Sequence, residues 1–328
     1  MPTDRTSTGR ATLRLSPDAA GVAEAARLLR AGGLVAFPTE TVYGLGADAT
    51  SDAAVAKIYA AKRRPAFNPL IAHVENRSAA ETQSMFTREA AALAEAFWPG
   101  PLTLVLPLAP GATVCELARA GISSIALRVP AHPVAQNLLA ATGLPLAGPS
   151  ANLSGRVSPV TAAHVHEDLD GIVDAIIDAG SARIGLESTI VSCLGTAPQL
   201  LRPGGIPRAA IEAVLGRSLA ASAATDTPRA PGMLAAHYAP RAHLRLEAVS
   251  LGDGEAGLDF GGRFEKAAHV LDLSPRGDLT EAAANLFRHL RSLDHDGYAT
   301  IAVAPIPKTG LGEAINDRLR RGAAGGEN

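Results

Sequence analysis

IVDAIIDAGSARIGLESTIVSCLGTAPQLLR, residues 172–202, holds three apolar runs: Ile172 to Ile177, Ser188 to Cys193 and Gln199 to Arg202. Each is short, rich in Ile, Val and Leu, and set off by Gly, Ser or Pro, which is the pattern of buried strands. No helix-length segment separates them. A doubly wound fold alternates strand with helix, so successive strands point to a mixed sheet instead.

The reading extends outward from there. Ser16-Pro17-Asp18 reads as a helix start with a serine cap, proline at the first helical position and an acid in the first turn. Val22, Ala25, Ala26, Leu28 and Leu29 supply its apolar face, and Gly32-Gly33 ends it. Leu34 to Phe37 reads as a buried strand, followed by a glycine-containing loop from Pro38 to Gly46. Ser51-Asp52 opens a helix that ends at Lys62. Strands are expected at Leu70 to Val74, Leu102 to Leu106, Ile122 to Val129 and Pro145 to Ala147. Helices are expected at Thr87 to Trp98, Pro133 to Thr142, Val160 to Leu169 behind Ser158-Pro159, and Pro207 to Leu215. Residues 14–216 are therefore expected to form one α/β domain on a twisted mixed sheet. Residues 217–240, dominated by Ala, Ser, Thr and Pro, read as a linker. Leu244 to Leu246, Ala268 to Leu273, Leu279 to Leu293, Thr300 to Ala304 and Gly312 to Arg321 suggest a small βα, Rossmann-like domain over 241–321. The glycine-rich 322–328 reads as a disordered tail.

Composition narrows the function. Hydrophobic residues are 47% and charged residues 19% of 328, enough apolar material for a large core. A net charge of −2 argues against a generally basic nucleic-acid coat but leaves room for a local basic site. Aromatic content of 4% is too low for a base-stacking platform. Cys115 and Cys193 have no metal-ligand spacing and read as buried thiols in a reducing compartment. No signal-peptide core and no apolar run of about 20 residues is seen, so a soluble cytoplasmic protein with no membrane contact is expected. G-x-x-x-x-G-K-[ST], G-x-S-x-G and H-E-x-x-H are all missing.

Two polar clusters stand out in apolar surroundings: Lys62-Arg63-Arg64-Pro65-Ala66-Phe67-Asn68-Pro69-Leu70 and Pro149-Ser150-Ala151-Asn152. Adjacent cations beside a buried strand are costly without an anionic partner. A basic helix C-terminus alone would be a solvated cap. Here Asn68 and an apolar strand follow at once, which favours a phosphate site. Thr41 sits in a tight loop beside Gly44 and Gly46, and His73 alternates with Ile71. Arg128 and Arg202 each interrupt an apolar strand and must be paired, by a protein carboxylate or by a ligand's. These residues alone support an anion- or nucleotide-binding α/β enzyme without fixing its reaction.

Phe37 to Gly46, Lys62 to Pro65 with Asn68-Pro69-Leu70, Trp98 to Thr103, Arg128-Val129-Pro130, Pro149 to Gly155, Glu187 to Val191 and Leu201 to Gly204 form a linked set of segments. In order and spacing this set closely resembles the YrdC-type threonylcarbamoyl-adenylate synthases. The resemblance covers about residues 14–215. Ala230-Pro231-Gly232-Met233 and His237-Tyr238-Ala239-Pro240 resemble the linker of the long, two-domain form. It implies a basic concave cavity and formation of threonylcarbamoyl-AMP and pyrophosphate from L-threonine, bicarbonate and ATP. Mg²⁺ would accompany ATP without direct protein ligands. A separate transferase would carry the product to an adenosine beside the tRNA anticodon, and direct contact with tRNA is left open.

By position in the motifs, Lys62, Arg64, Ser150 and Asn152 match the family's central polar set. Thr41, His73, Arg128, Gly148 and Ser188 match its threonine positions. Arg64, Asn68, Ser124, Ser150, Ser158, Arg202 and Tyr238 match its ATP positions. Gly148 stands where alanine is common, which would leave a looser pocket, and Arg63 stands where many members have glycine. The linker is expected to fold over the cavity as a lid. Two other readings are a non-catalytic RNA-binding module of the same fold and the carbamoyl-transfer enzyme of hydrogenase maturation. Charge and aromatic content weigh against the first. Two cysteines cannot build the zinc segments of the second.

Overall fold

The computed structural model describes residues 11–220 and 238–325. The first part contains β1 (Leu13–Leu15), α1 (Ala19–Arg30), β2 (Val35–Phe37), β3 (Gly44–Asp48), α2 (Asp52–Lys62), β4 (Ile71–His73), α3 (Arg77–Gln83), α4 (Arg88–Phe97) and β5 (Leu102–Pro107). It continues with β6 (Ser124–Arg128), α5 (Pro133–Thr142), β7 (Leu146–Ala147), α6 (Ala162–Leu169), β8 (Ala175–Ile177), β9 (Thr189–Ser192), β10 (Gln199–Arg202) and α7 (Arg208–Leu215). The second part holds β11 (His243–Arg245), β12 (Ala256–Asp259), β13 (Val270–Asp272), α8 (Leu279–His295), β14 (Thr300–Val303) and α9 (Gly312–Gly325).

The mixed sheet read from residues 172–202 is the observed one. Ten strands run in the order β1-β8-β2-β3-β7-β4-β6-β5-β9-β10. The chain leaves β8 at one end of this sheet and enters β9 at the other with no helix between them. Parallel pairs (β4 with β6, β5 with β9) alternate irregularly with antiparallel ones (β2 with β3, β5 with β6).

Strand periodicity divides the core between two faces. Val35, Phe37, Ala175 and Ile177 pack with α1 and α5 on one side. Leu34, Ala36, Ile176 and Ala147 pack with α2 and α6 on the other. Farther along, Leu102, Leu104 and Leu106 meet α4 and α7. The alternate side chains Val105, Ile71, Ala126, Ile190 and Leu201 form a small apolar floor.

The C-terminal part is a parallel four-stranded sheet in the order β11-β14-β12-β13. Its core is continuous with the first domain through Val42, Val157, Val160, Ala182 and Leu186, which pack in one cluster with Tyr238, Phe287 and Leu319. The two sheets are thus joined by a shared apolar contact.

Several local expectations change. Asp18, not Ser16, caps α1: its carboxylate accepts from the Gly21 amide, and Ser16 Oγ donates to that carboxylate at 2.8 Å. Ser158 does not cap α6, because its hydroxyl donates to Glu187; Thr161 Oγ1 takes the cap by accepting from His164 N. Gly44 and Gly46 belong to strand β3 rather than a loop. A Cβ at either position would fall 3.1 Å from the Phe37 ring, closer than ordinary van der Waals contact. Strands β1 and β12 and helix α3 were not anticipated. The helix expected to stop at Arg321 runs to Gly325, because Leu319 and Gly322 continue its buried stripe. Of the expected linker and tail, 221–237 and 326–328 lie outside the described residues. No described helix is long and apolar enough to cross a membrane.

Candidate functional site

Over the apolar floor lies a cavity of about 40 Å³. Its wall contains Thr41, Arg64, His73, Arg128, Gly148, Ser150, Ser188, Arg202 and Tyr238. These come from distant points in the chain. Thr41 follows β2, Arg64 follows α2, His73 and Arg128 end two paired parallel strands, Gly148 follows β7, Ser188 precedes β9 and Arg202 ends β10.

Lys62 and Asn152 sit just behind this wall. The Lys62 ammonium donates to the carbonyls of Ser150 (2.5 Å) and Asn152, tying α2 to the loop after β7. It is 1% exposed. Burial, and then the nearby Arg64 charge, hold its pKa well below the ordinary lysine value. Arg64 donates to the carbonyls of Asn68 (3.2 Å) and Pro69 (3.0 Å), which folds the 64–69 loop around the guanidinium. Within the protein, backbone oxygens meet part of the hydrogen-bonding capacity of both cations. Burial lowers the Arg64 pKa to about 10, so it stays charged at neutral pH.

Arg63 caps α2 in the left-handed conformation, at φ 50°. Glycine would adopt that conformation more readily, and the exposed Arg63 side chain is not part of the cavity wall.

Arg128 finds a protein carboxylate. Its guanidinium donates to Glu40 Oε1 at 2.6 Å, Thr41 Oγ1 at 2.8 Å and the Gly100 carbonyl at 3.2 Å. Both partners of the ion pair are 4% exposed. Burial pushes the Glu40 carboxyl upward, but the Arg128 charge and hydrogen bonds overcome it and hold it below the usual range. Three of the five guanidinium donors are used in this way, while the side chain still lines the cavity. Arg202 Nη2 donates to the Ser188 carbonyl (2.8 Å) and hydroxyl (3.2 Å). Ser188 Oγ shares a further bond with Thr103.

Gly148 does not leave a looser pocket. A methyl group there would fall 2.6 Å from His73 Nδ1, so the imidazole fills the space alanine would occupy. The ring is held edge-on to Phe37, with centroids 5.8 Å apart. Burial, with Arg128 adding to it, lowers the His73 pKa to about 3. An unfolded histidine takes a proton below about 6.5, whereas this one stays neutral down to about 3. Stability is therefore full above 6.5 and falls as pH drops through that window. At about pH 5 the loss from this group is about 2 kcal/mol. Urea unfolding should show a drop between neutral and acid pH that is smaller by about that amount in His73→Gln.

Three other expected positions lie off the wall. Ser158 reaches it through Glu187. Asn68 stands beside Arg64. Ser124 begins β6, at the opposite end of that strand from Arg128 and on the Pro69 side of the β4–β6 pair. Glu187, Val42, Ile71 and Pro149 line the cavity and were not singled out by sequence. For Glu187 a signal existed: a carboxylate opening an apolar strand must be paired.

Six buried side-chain nitrogen and oxygen atoms among the described residues have no hydrogen-bond partner. Four belong here: Asn68 Nδ2 and Oδ1, His73 Nδ1 and Asn152 Oδ1. Buried polar atoms without partners are costly, so such a concentration makes this a candidate site for a polar ligand. Arginines, amides and hydroxyls in a dehydrated cavity suit an anion that also carries hydroxyl or amine groups.

Comparison with known proteins shows the family. Residues 27–204 match the Sua5, YciO and YrdC family model, described as "Telomere recombination". Residues 206–324 match the model for "Threonylcarbamoyl-AMP synthase, C-terminal domain". The chain is 44% identical over 336 residues to the threonylcarbamoyl-AMP synthase of Bacillus subtilis, covering 96% of both. It is 41% identical over 315 residues to that of Pyrococcus abyssi, covering 90% of this chain and 92% of the other. The crystal structure of P. abyssi Sua5 complexed with L-threonine matches with a TM-score of 0.88 and 38% identity, over 96% of this chain and 98% of that one. A cavity built from these motifs, sequence identity along both domains and a fold match of that extent lead to one assignment: the chain belongs to the Sua5, YciO and YrdC family, in the long form that carries the threonylcarbamoyl-AMP synthase C-terminal domain.

Proposed function

We propose that this cavity makes threonylcarbamoyl-AMP and pyrophosphate from L-threonine, bicarbonate and ATP. The observation that carries the reading is the set of unpartnered buried atoms on His73, in the wall, and on Asn68 and Asn152 beside it, around a cavity lined by arginines and hydroxyls. Threonine is assigned to Thr41, His73, Arg128, Gly148 and Ser188, next to the apolar Ile71. ATP is assigned to Arg64, Asn68, Ser150, Ser158, Arg202 and Tyr238, with Ser124 at the outer end of that track.

The chemistry asks mainly for positioning and charge neutralisation. Threonine's amine adds to bicarbonate, and loss of water gives the carbamate. The carbamate oxygen attacks the α-phosphorus, a P–O bond forms, and the bond to pyrophosphate breaks. Lys62 and Arg64 stand where charge on that phosphate would grow, and Arg128 can offer its remaining donors to the amino-acid carboxylate. Neutral His73 can accept from or donate to the substrate through Nδ1. An unmet polar partner for the threonine hydroxyl would penalise valine.

Among the described residues no group of three His, Cys, Asp or Glu is arranged to hold a metal. Glu187, at the wall, is already bonded to Ser158 and Arg318. The donors fit phosphate oxygens, so Mg²⁺ would be held by the triphosphate, whose charge it would lower. The product would pass to a separate transferase acting on tRNA, in the cytoplasm.

Pyrophosphate release, measured with each substrate omitted in turn, tests the proposal. Release is expected only with ATP, L-threonine and bicarbonate together. Threonine-independent release, or none, would refute it.

A further inference from the structure

We infer that the C-terminal domain completes the cavity through Arg318, a positioning residue that fixes Glu187 and Tyr238 in the cavity wall. The inference rests on the nucleotide-binding reading above. Arg318 lies on α9, far in sequence from every site motif, and is the largest fully buried side chain among the described residues. Its Nε donates to Glu187 Oε2 at 2.7 Å and its Nη2 to the Pro203 carbonyl at 2.9 Å. Nη1 donates to Asp317 at 2.6 Å. The guanidinium also lies 4.9 Å from the centre of the Tyr238 ring, and that ring stacks on Phe287 of α8 at 5.9 Å and 17°. Two C-terminal helices thus grip the aromatic residue that closes the wall.

Glu187 is the reason such a cation is needed. It is a carboxylate lining the same cavity as Arg64, Arg128 and Arg202. Unrestrained, it would draw those arginines toward itself and repel a phosphate. Instead one oxygen accepts from Ser158 at 2.5 Å and the other from Arg318. Both oxygens are committed, and the neutralising charge comes from the C-terminal side. A buried ion pair of this kind adds little net stability compared with apolar packing, which favours a role in arranging the site. Burial by itself would raise the Glu187 pKa; the charges of Arg318 and then Arg202 keep it lowered. Sequence also held a trace of this. Ala314, Ile315, Arg318 and Leu319 share one buried helical stripe, and a cation on such a stripe needs a partner.

The test uses full-length Arg318→Met, Arg318→Lys, Glu187→Gln and the Arg318→Met/Glu187→Gln double variant. Each is titrated with ATP and assayed for pyrophosphate release. Arg318→Met should weaken ATP binding and raise KM for ATP by about tenfold at about pH 8, because Glu187 is left as an unpaired anion. The defect should shrink as pH falls, because burial raises the pKa of a carboxylate that has lost its main cation. Adding Glu187→Gln should restore most of the ATP affinity at every pH. Arg318→Lys, which keeps the charge and loses the fork, should show a smaller defect with no pH dependence; it carries the test if Arg318→Met fails to fold. Wild-type affinity in Arg318→Met would overturn the inference. So would an equal loss at all pH values with no rescue by Glu187→Gln. Wild-type protein that binds ATP but releases no pyrophosphate would instead refute the proposed reaction, and the ATP titrations would still decide the role of Arg318.

Discussion

Lys62→Met should lower kcat for pyrophosphate release by about a hundredfold to a thousandfold, the range seen when one preorganised donor to developing charge is removed. Methionine has nearly the length of lysine, so packing around α2 is preserved while the charge and three donors are lost. Two of those donors hold the Ser150 and Asn152 carbonyls. The third has no partner among the described residues, and the ammonium sits directly behind the wall that carries Ser150. A triphosphate in the cavity would supply the anion that burial and Arg64 now deny this group, and its lowered pKa would rise on binding. The variant should also lose about 1–3 kcal/mol for each buried carbonyl left unsatisfied. Melting curves separate the two effects. If activity, measured well below the melting temperature, falls less than about tenfold, Lys62 only ties α2 to the 150–152 loop and the charge-stabilising role fails.

The sheet was legible in residues 172–202 because three apolar runs without a helix between them exclude regular alternation. Polar residues inside apolar strands, such as Arg128 and Arg202, were legible for a related reason: burial forces a partner. What escaped was set by contacts distant in sequence. Gly44 and Gly46 look like loop residues until Phe37 is seen lying across them. Ser158-Pro159 is a good helix start in isolation, but its hydroxyl is taken by Glu187, 29 residues away. Arg128 had two possible kinds of partner, and spacing could not choose between a protein carboxylate and a ligand's. Residue chemistry pointed to an anion; only the family resemblance supplied threonine and bicarbonate. The partner of Arg318 was beyond reach for the same reason as Glu40, since it lies 131 residues away in another domain.

Glu40→Ala should destabilise the protein by about 3–5 kcal/mol, the usual result of removing one partner from a buried ion pair. Arg128 would keep its charge in a site where both side chains are 4% exposed. The Ala131 amide, which donates to the other Glu40 oxygen at 3.1 Å, would lose its acceptor and loosen the connection from β6 to α5. Glu40→Gln, which keeps an acceptor, should lose less, and Arg128→Met in the Glu40→Ala background should recover part of the loss. Urea unfolding of wild type, Glu40→Ala, Arg128→Met and the double variant gives the coupling directly. Kinetics then separate scaffold from site. Glu40 and Thr41 fix the guanidinium fork, so the donors left for a substrate carboxylate have a set direction only while both hold. In Glu40→Gln, which should still fold, KM for threonine should rise more than KM for ATP. Equal rises would make Arg128 a general support of the cavity, and a stability loss below about 1 kcal/mol in Glu40→Ala would mean that the Arg128 charge is already met by something other than Glu40.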